Sequence, residues 1–126
     1  MNLNQVTVPA TDLSRAVDFY RALGLVLIVN DLPDYARFEC PDGEATFSIE
    51  RVNQPPAPGV VVYFECEDLD DRVAALELAG ITFETGPADR PWLWREARLR
   101  DPDGNAICLF RAGRSRRFPP WRLATP

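Results

Sequence analysis

The chain has 126 residues, a net charge of −5 and 46% hydrophobic residues, enough for one domain with a real core. No run of 18 apolar residues is present, so no membrane-spanning helix is expected. There is no histidine, and all 14 basic residues are arginine. This excludes imidazole general-base chemistry and lysine Schiff bases, and leaves proton transfer to Asp, Glu, Cys or Tyr.

The elements read as follows in chain order. Gln5 to Val8 alternates polar and apolar residues and predicts a strand. Thr11 or Asp12 is placed to cap a helix through Leu13, Ala16, Val17, Tyr20 and Leu23, with Gly24 at its end. Leu25–Val29, Tyr35–Glu39 and Thr46–Arg51 predict three further strands, with a Pro41-Asp42-Gly43 turn before the last. Pro55, Pro56 and Pro58 mark a linker. Val60–Glu65 is then a strand, and Asp68 caps a helix ended by Gly80. Ile81–Glu84 is a strand, followed by a loop through Gly86-Pro87 to Pro91. Trp94–Arg100 and Ala106–Phe110 form a hairpin around residues 101–105. From Ala112 a tail is expected to wrap the surface, anchored by Phe118 and Trp121.

The chain is built twice. With an offset of 56, Asp12 falls on Asp68, Leu13 on Leu69, Val17 on Val73 and Gly24 on Gly80. With an offset of 61, Ala36-Arg37-Phe38 and Pro41-Asp42-Gly43 fall on Ala97-Arg98-Leu99 and Pro102-Asp103-Gly104. One half cannot bury its apolar face alone, so two copies are expected to pack together. The predicted organisation is one domain: module one over 1–54, a linker over 55–59, module two over 60–111 and a tail over 112–126.

Three widely spaced cysteines, Cys40, Cys66 and Cys108, with no CxxC, predict reduced thiols in a cytoplasmic protein and no structural zinc. The opening MNLNQVTV has neither a basic nor an apolar signal region, and no secretory signal is expected. Charge is uneven. Residues 1–89 hold 5 Arg against 16 acids, and residues 90–126 hold 9 Arg against 3 acids. The basic tail is expected to dock on an acidic body, in the same chain or a partner's. No nucleic-acid motif accompanies Arg114, Arg116 and Arg117, and nucleic-acid binding is not expected.

The TDLSRAVDFYRALGL segment near the start and EARLRDPDGNAICLF near the end together resemble the glyoxalase / bleomycin-resistance / extradiol-dioxygenase superfamily, also called vicinal oxygen chelate. The resemblance covers about residues 4–111. It implies an α+β fold of two paired βαβββ modules, forming a curled mixed sheet around a cleft, and often a homodimer. In metal-using members, one ligand comes from the first strand of each module and one from the last, in the pattern His or Gln, Glu, His and Glu. The matching positions here are Gln5, Ser48, Val61 and Cys108. A one-residue loop difference makes Phe47 the alternative to Ser48; Ser48 is preferred because Thr46, Ser48 and Glu50 then share the cleft face. Val61 cannot bind a metal, and an amide with one thiolate is no site for the family's hard cations. The expectation is therefore a protein with no metal and no cofactor.

Strand alternation sends Val6, Val8, Val62, Phe64, Phe38 and Leu99 to the core. The cleft face is then Gln5, Thr7, Arg37, Ser48, Glu50, Val61, Tyr63, Trp94, Arg98 and Cys108, the candidate ligand-binding residues. Glu65, Tyr63 and Cys108 are the candidate catalytic groups, with Glu65 the first choice of base. Arg37 and Arg98 are repeat mates and suit a carboxylate or phenolate ligand, whereas the cationic ligand of the family's metal-free bleomycin-resistance proteins would suit the acidic body. A small, partly aromatic ligand held without a metal is the leading expectation, as sequestration or metal-independent catalysis. The alternative is a metal-dependent glyoxalase- or dioxygenase-like enzyme with displaced ligands such as Glu50 and Glu65.

Overall fold

Strand alternation and helix caps resolve into eleven elements in a computed structural model, which describes residues 1–124. The first module holds β1 (Gln5–Ala10), α1 (Leu13–Ala22), β2 (Val26–Asp31), β3 (Tyr35–Glu39) and β4 (Thr46–Arg51). The second holds β5 (Val61–Glu65), α2 (Leu69–Leu78), β6 (Phe83–Asp89), β7 (Arg95–Arg100) and β8 (Ala106–Arg111), and a short α3 (Arg114–Arg117) follows. Each module is βαβββ, and each forms an open four-stranded mixed sheet, ordered β1-β4-β3-β2 and β5-β8-β7-β6. The α+β class and the two modules are those the repeat predicts.

Chain contacts divide the molecule into two units. Unit one is residues 1–60 with 100–105, and unit two is residues 61–99 with 106 onward. In unit one, the Asp12 carboxylate caps α1 by accepting from the Arg15 N–H. Leu13, Ala16, Val17 and Tyr20 recur at helical spacing and are all buried. They cover the β3–β4 face that carries Phe38 and Phe47, and the Tyr20 ring lies 4.6 Å from Phe47 and 6.1 Å from Phe38. The Asp101–Asn105 turn belongs to this unit, although it comes from the β7–β8 hairpin.

Unit two repeats the plan with differences. Asp68 stands at the N-cap of α2 without a side-chain capping bond. Its carboxylate instead reaches Arg72, one turn on, at 3.8 Å. Leu69, Val73 and Leu76 are the buried stripe. β6 runs through Gly86-Pro87, where the sequence predicts a loop. It can do so because β6 is the sheet's edge strand, where a missing N–H harms no ladder. Its pairing with β7 slips twice, between Phe83 and Thr85 and between Thr85 and Ala88.

The tail also departs from expectation. Phe118 and Trp121 are 43% and 57% exposed, so neither is a buried anchor. The Phe118 ring instead has the guanidinium groups of Arg114, Arg117 and Arg122 within 4.6–5.5 Å. The tail is fastened at its start, by Glu65. Residues 125 and 126 of the predicted tail lie outside the described residues.

Candidate functional site

On the face of the first sheet opposite α1, Ser48 is the centre. β4 lies between β1 and β3, so Thr7 and Arg37 both stand beside Ser48. The Ser48 side chain is fully buried and its Oγ is 2.7 Å from both Gln5 Nε2 and the Tyr35 hydroxyl. Gln5 Oε1 accepts from the Thr46 hydroxyl. Arg37 Nε donates to the Tyr35 oxygen at 2.9 Å, and its guanidinium lies 5.5 Å from that ring. The result is one hydrogen-bonded row: Thr46, Gln5, Ser48, Tyr35, Arg37. The Tyr35 phenol is held below its usual pKa, chiefly by the Ser48 hydroxyl and then, against some desolvation, by Arg37. Glu50 is exposed beside Tyr35, at the end of this face.

The corresponding face in module two is aromatic. Tyr63 pairs with Cys108 across β5 and β8. The Tyr63 ring meets Trp94 and Phe110 edge-on at 6.0 and 5.7 Å, and Trp94 stacks on Phe110 at 4.7 Å. Arg98 Nη2 donates to the Tyr63 hydroxyl at 3.3 Å and to Glu96 Oε2 at 3.2 Å. Glu96 is only 2% exposed, and its other oxygen accepts from Trp92 Nε1 at 2.9 Å. Cys108 is fully buried, and burial, then the Glu96 charge, push its thiol up to about 11. A thiol so held is a poor nucleophile near neutrality.

Arg37 and Arg98 each lie against a tyrosine, but not against repeat mates. Arg37 uses Tyr35, on its own strand. Arg98 uses Tyr63 from β5, and at the place of Tyr35 the second module has Glu96. A phenol in one half is thus replaced by a buried carboxylate in the other.

Among the sequence candidates, Gln5, Thr7, Arg37 and Ser48 share the first face, with Glu50 at its end. Tyr63, Trp94, Arg98 and Cys108 share the second, and Val61 stands beside Ala106 on β5. Glu65 serves another purpose. Its Oε2 accepts from the Ala112 and Gly113 N–H groups at 2.8 and 2.9 Å, and Arg116 lies 3.8 Å from its Oε1. A carboxylate used in this way pins the tail and is badly placed as a base. Tyr35, Phe110 and Glu96 are not among the sequence candidates. All three share the parity of chosen residues, namely Arg37, Cys108 and Arg98, which is the signal that could have found them.

The family's metal-ligand positions do not suit a divalent metal. Val61 has no donor atom, the Cys108 thiol is buried and a soft donor for the family's hard cations, and the Ser48 hydroxyl is already engaged on two sides. Among the described residues no three His, Cys, Asp or Glu side chains come together as a metal site.

Known proteins match this chain closely enough to place it. The profile of the Glyoxalase/Bleomycin resistance protein/Dioxygenase superfamily matches residues 2–109. An uncharacterized protein, YraH, of Bacillus subtilis (strain 168) is 29% identical over 131 residues, spanning 88% of this chain and 98% of YraH. A glyoxalase/bleomycin resistance protein/dioxygenase from Nocardioides superposes with a TM-score of 0.76 at 24% identity, over 98% of this chain and 90% of that one. The bleomycin resistance determinant encoded on transposon Tn5 superposes with a TM-score of 0.73 at 20% identity, over 90% and 99%. At such identities the two structures speak for the fold. With the family profile covering most of its length, the chain belongs to the glyoxalase/bleomycin resistance protein/dioxygenase superfamily.

Proposed function

We propose that this protein is a metal-free member of its superfamily that binds a small, partly aromatic molecule. The observation that carries this reading is the module-two face, where Tyr63, Trp94 and Phe110 form one aromatic surface and Arg98 is held beside it by buried Glu96. Aromatic surface with a few fixed polar groups is the usual make-up of a small-molecule site. Within the first unit, the polar row from Gln5 to Arg37, with Thr7 and Glu50 on the same face, is a further proposed ligand-binding surface, and Val61 stands two residues before Tyr63 on β5. The metal-free part of the reading is supported by the side chains at the family's ligand positions. Sequestration fits best, because Glu65 is committed to the tail and Cys108 is a buried thiol, which leaves Tyr63 as the remaining catalytic candidate. The reading includes a homodimer, as is common in the family, and a cytoplasmic location, supported by the odd cysteine count.

The test is a thermal-shift screen of small aromatic acids and amines, with metal content measured on protein purified without chelators. At least one aromatic probe is expected to raise the melting temperature equally with and without EDTA. Stoichiometric Mn, Fe, Ni or Zn, with probe binding lost in EDTA, would overturn the reading in favour of a metal-dependent enzyme.

A further inference from the structure

The loop between β6 and β7 and the start of the tail border an open recess of about 550 Å3 within unit two, a volume typical of small-molecule sites. Its walls include Asp89, Arg90, Leu93, Trp94, Arg95 and Arg111. Trp94 is the single sequence candidate among them.

The three arginines are not equivalent. Arg95 is committed: Nε and Nη2 donate to Asp70 at 2.9 and 3.2 Å, and Nη1 donates to Asp89 at 3.1 Å. Arg111 donates to the Glu67 carbonyl at 3.3 Å. Arg90 has its Nε buried with no hydrogen-bond partner. Neither Arg90 nor Arg111 forms an ion pair among the described residues. A guanidinium N–H kept from water without an acceptor is costly and uncommon in folded proteins. The Arg90 side chain makes no hydrogen bond among the described residues, so its outer N–H groups are left for an acceptor from outside the chain.

The backbone gives a second, independent indication. The Leu93 N–H donates to the Arg90 carbonyl at 3.0 Å, and the Arg90 N–H donates to the Trp94 carbonyl at 2.8 Å. Short hairpin loops closed in this way ordinarily put glycine at the left-handed position. Here Leu93 occupies it, at φ +68°, the one non-glycine residue with positive φ among the described residues. The residue is 53% exposed and lines the recess. Strain kept at the wall of a cavity is a mark of a functional site.

The geometry points to this recess as the binding site for a small aromatic carboxylate. The carboxylate accepts from Arg90 and Arg111, whose planar forks suit its two oxygens. The ring lies against Leu93 and the Trp94 indole. This inference rests on the proposed binding function and gives its ligand a negative charge.

Calorimetric titration of the full chain with benzoate, benzylamine and acetate tests it. Benzoate is expected to bind, benzylamine not to bind, and acetate to bind at least about tenfold more weakly than benzoate. Arg90→Gln and Arg111→Gln are each expected to weaken benzoate about tenfold, and Arg72→Gln on α2 to leave it unchanged. Should Arg90→Gln fail to fold, Arg111→Gln carries the comparison. Benzylamine or acetate binding as tightly as benzoate overturns the ligand class. Benzoate binding that survives both recess variants but falls in Arg98→Gln overturns the recess and leaves the aromatic-binding function standing. If no aromatic probe binds at all, both fail.

Discussion

The Tyr20 hydroxyl donates to the Asp101 carboxylate at 2.6 Å, joining α1 to a turn 81 positions away. Asp101 is 4% exposed, and its other contacts are the Asp103 and Asn105 N–H groups and the Asn105 amide. The same turn receives Thr11, through Asp103, and Arg15, through the Pro102 carbonyl, while Asn105 donates to the Pro9 carbonyl. Asp101 is thus the hub of a lock built from both copies of the repeat. Burial first, and then the Asp101 charge, keep the Tyr20 phenol protonated and able to donate. Tyr20→Phe leaves the ring packing in place and removes one donor from a buried carboxylate. It should cost about 2 kcal/mol of unfolding free energy, read from urea denaturation. An unchanged midpoint would show that the hydroxyl contributes nothing.

This lock explains what could and could not be read from the sequence. Helices and strands follow local patterns, so Leu13 to Leu23 and Tyr35 to Glu39 were legible from spacing alone. The DPDGN turn was legible as a turn. Its docking on α1 was not, because a hydrogen bond across 81 positions leaves no local periodicity. Pro87 reads as a strand breaker unless the strand is known to lie at an edge. Glu65 reads as a free strand-end acid until the tail is seen to return over it. The place of Ser48 between Gln5 and Tyr35 depends on one loop residue, and its pairing with Thr7 and Arg37 sets it.

Glu96 and Arg98 form a half-buried pair whose cost falls on whichever partner is left behind. Glu96 is 2% exposed and the Arg98 side chain is 34% exposed. Arg98→Ala should therefore destabilise by about 1–3 kcal/mol, because the carboxylate keeps the Trp92 donor alone. Adding Glu96→Gln should recover part of the loss, since no buried charge then remains unpaired. A double-mutant cycle measures this as a coupling energy; simple additivity would show that the pair is not coupled.

Cys108 gives a pH dependence with a definite sign. Its pKa is raised to about 11 in the folded chain, against about 8.5 for an unfolded cysteine. The folded state therefore keeps its full advantage below about pH 8.5 and loses about 3 kcal/mol as pH rises toward 11. Cys108→Ala should lower stability at pH 7 but flatten the decline across that window. In native protein at pH 8, iodoacetamide should modify the half-buried Cys40 and Cys66 before Cys108. Fast modification of Cys108 would restore it as a nucleophile.

Glu65 should control the tail. With its oxygens on Ala112, Gly113 and Arg116, Glu65→Ala frees the start of α3 without touching either core. Trypsin should then cut at Arg114, Arg116 and Arg117 several-fold faster, while urea unfolding of the remainder changes little. Equal digestion rates would mean that the tail is held elsewhere.

Leu93 sets stability against binding. A leucine in the left-handed region costs roughly 1–2 kcal/mol relative to glycine, so Leu93→Gly should stabilise the β6–β7 hairpin by about 1 kcal/mol after the loss of backbone restriction in the unfolded chain. The same change removes an apolar wall of the recess beside Trp94 and should weaken benzoate binding. A protein selected for stability alone would carry glycine here. A variant that is more stable but binds less tightly is the outcome expected of strain kept for function, measured by melting temperature and calorimetry on the same sample. A variant that gains stability and keeps full affinity would mean that the leucine side chain contributes nothing to the site.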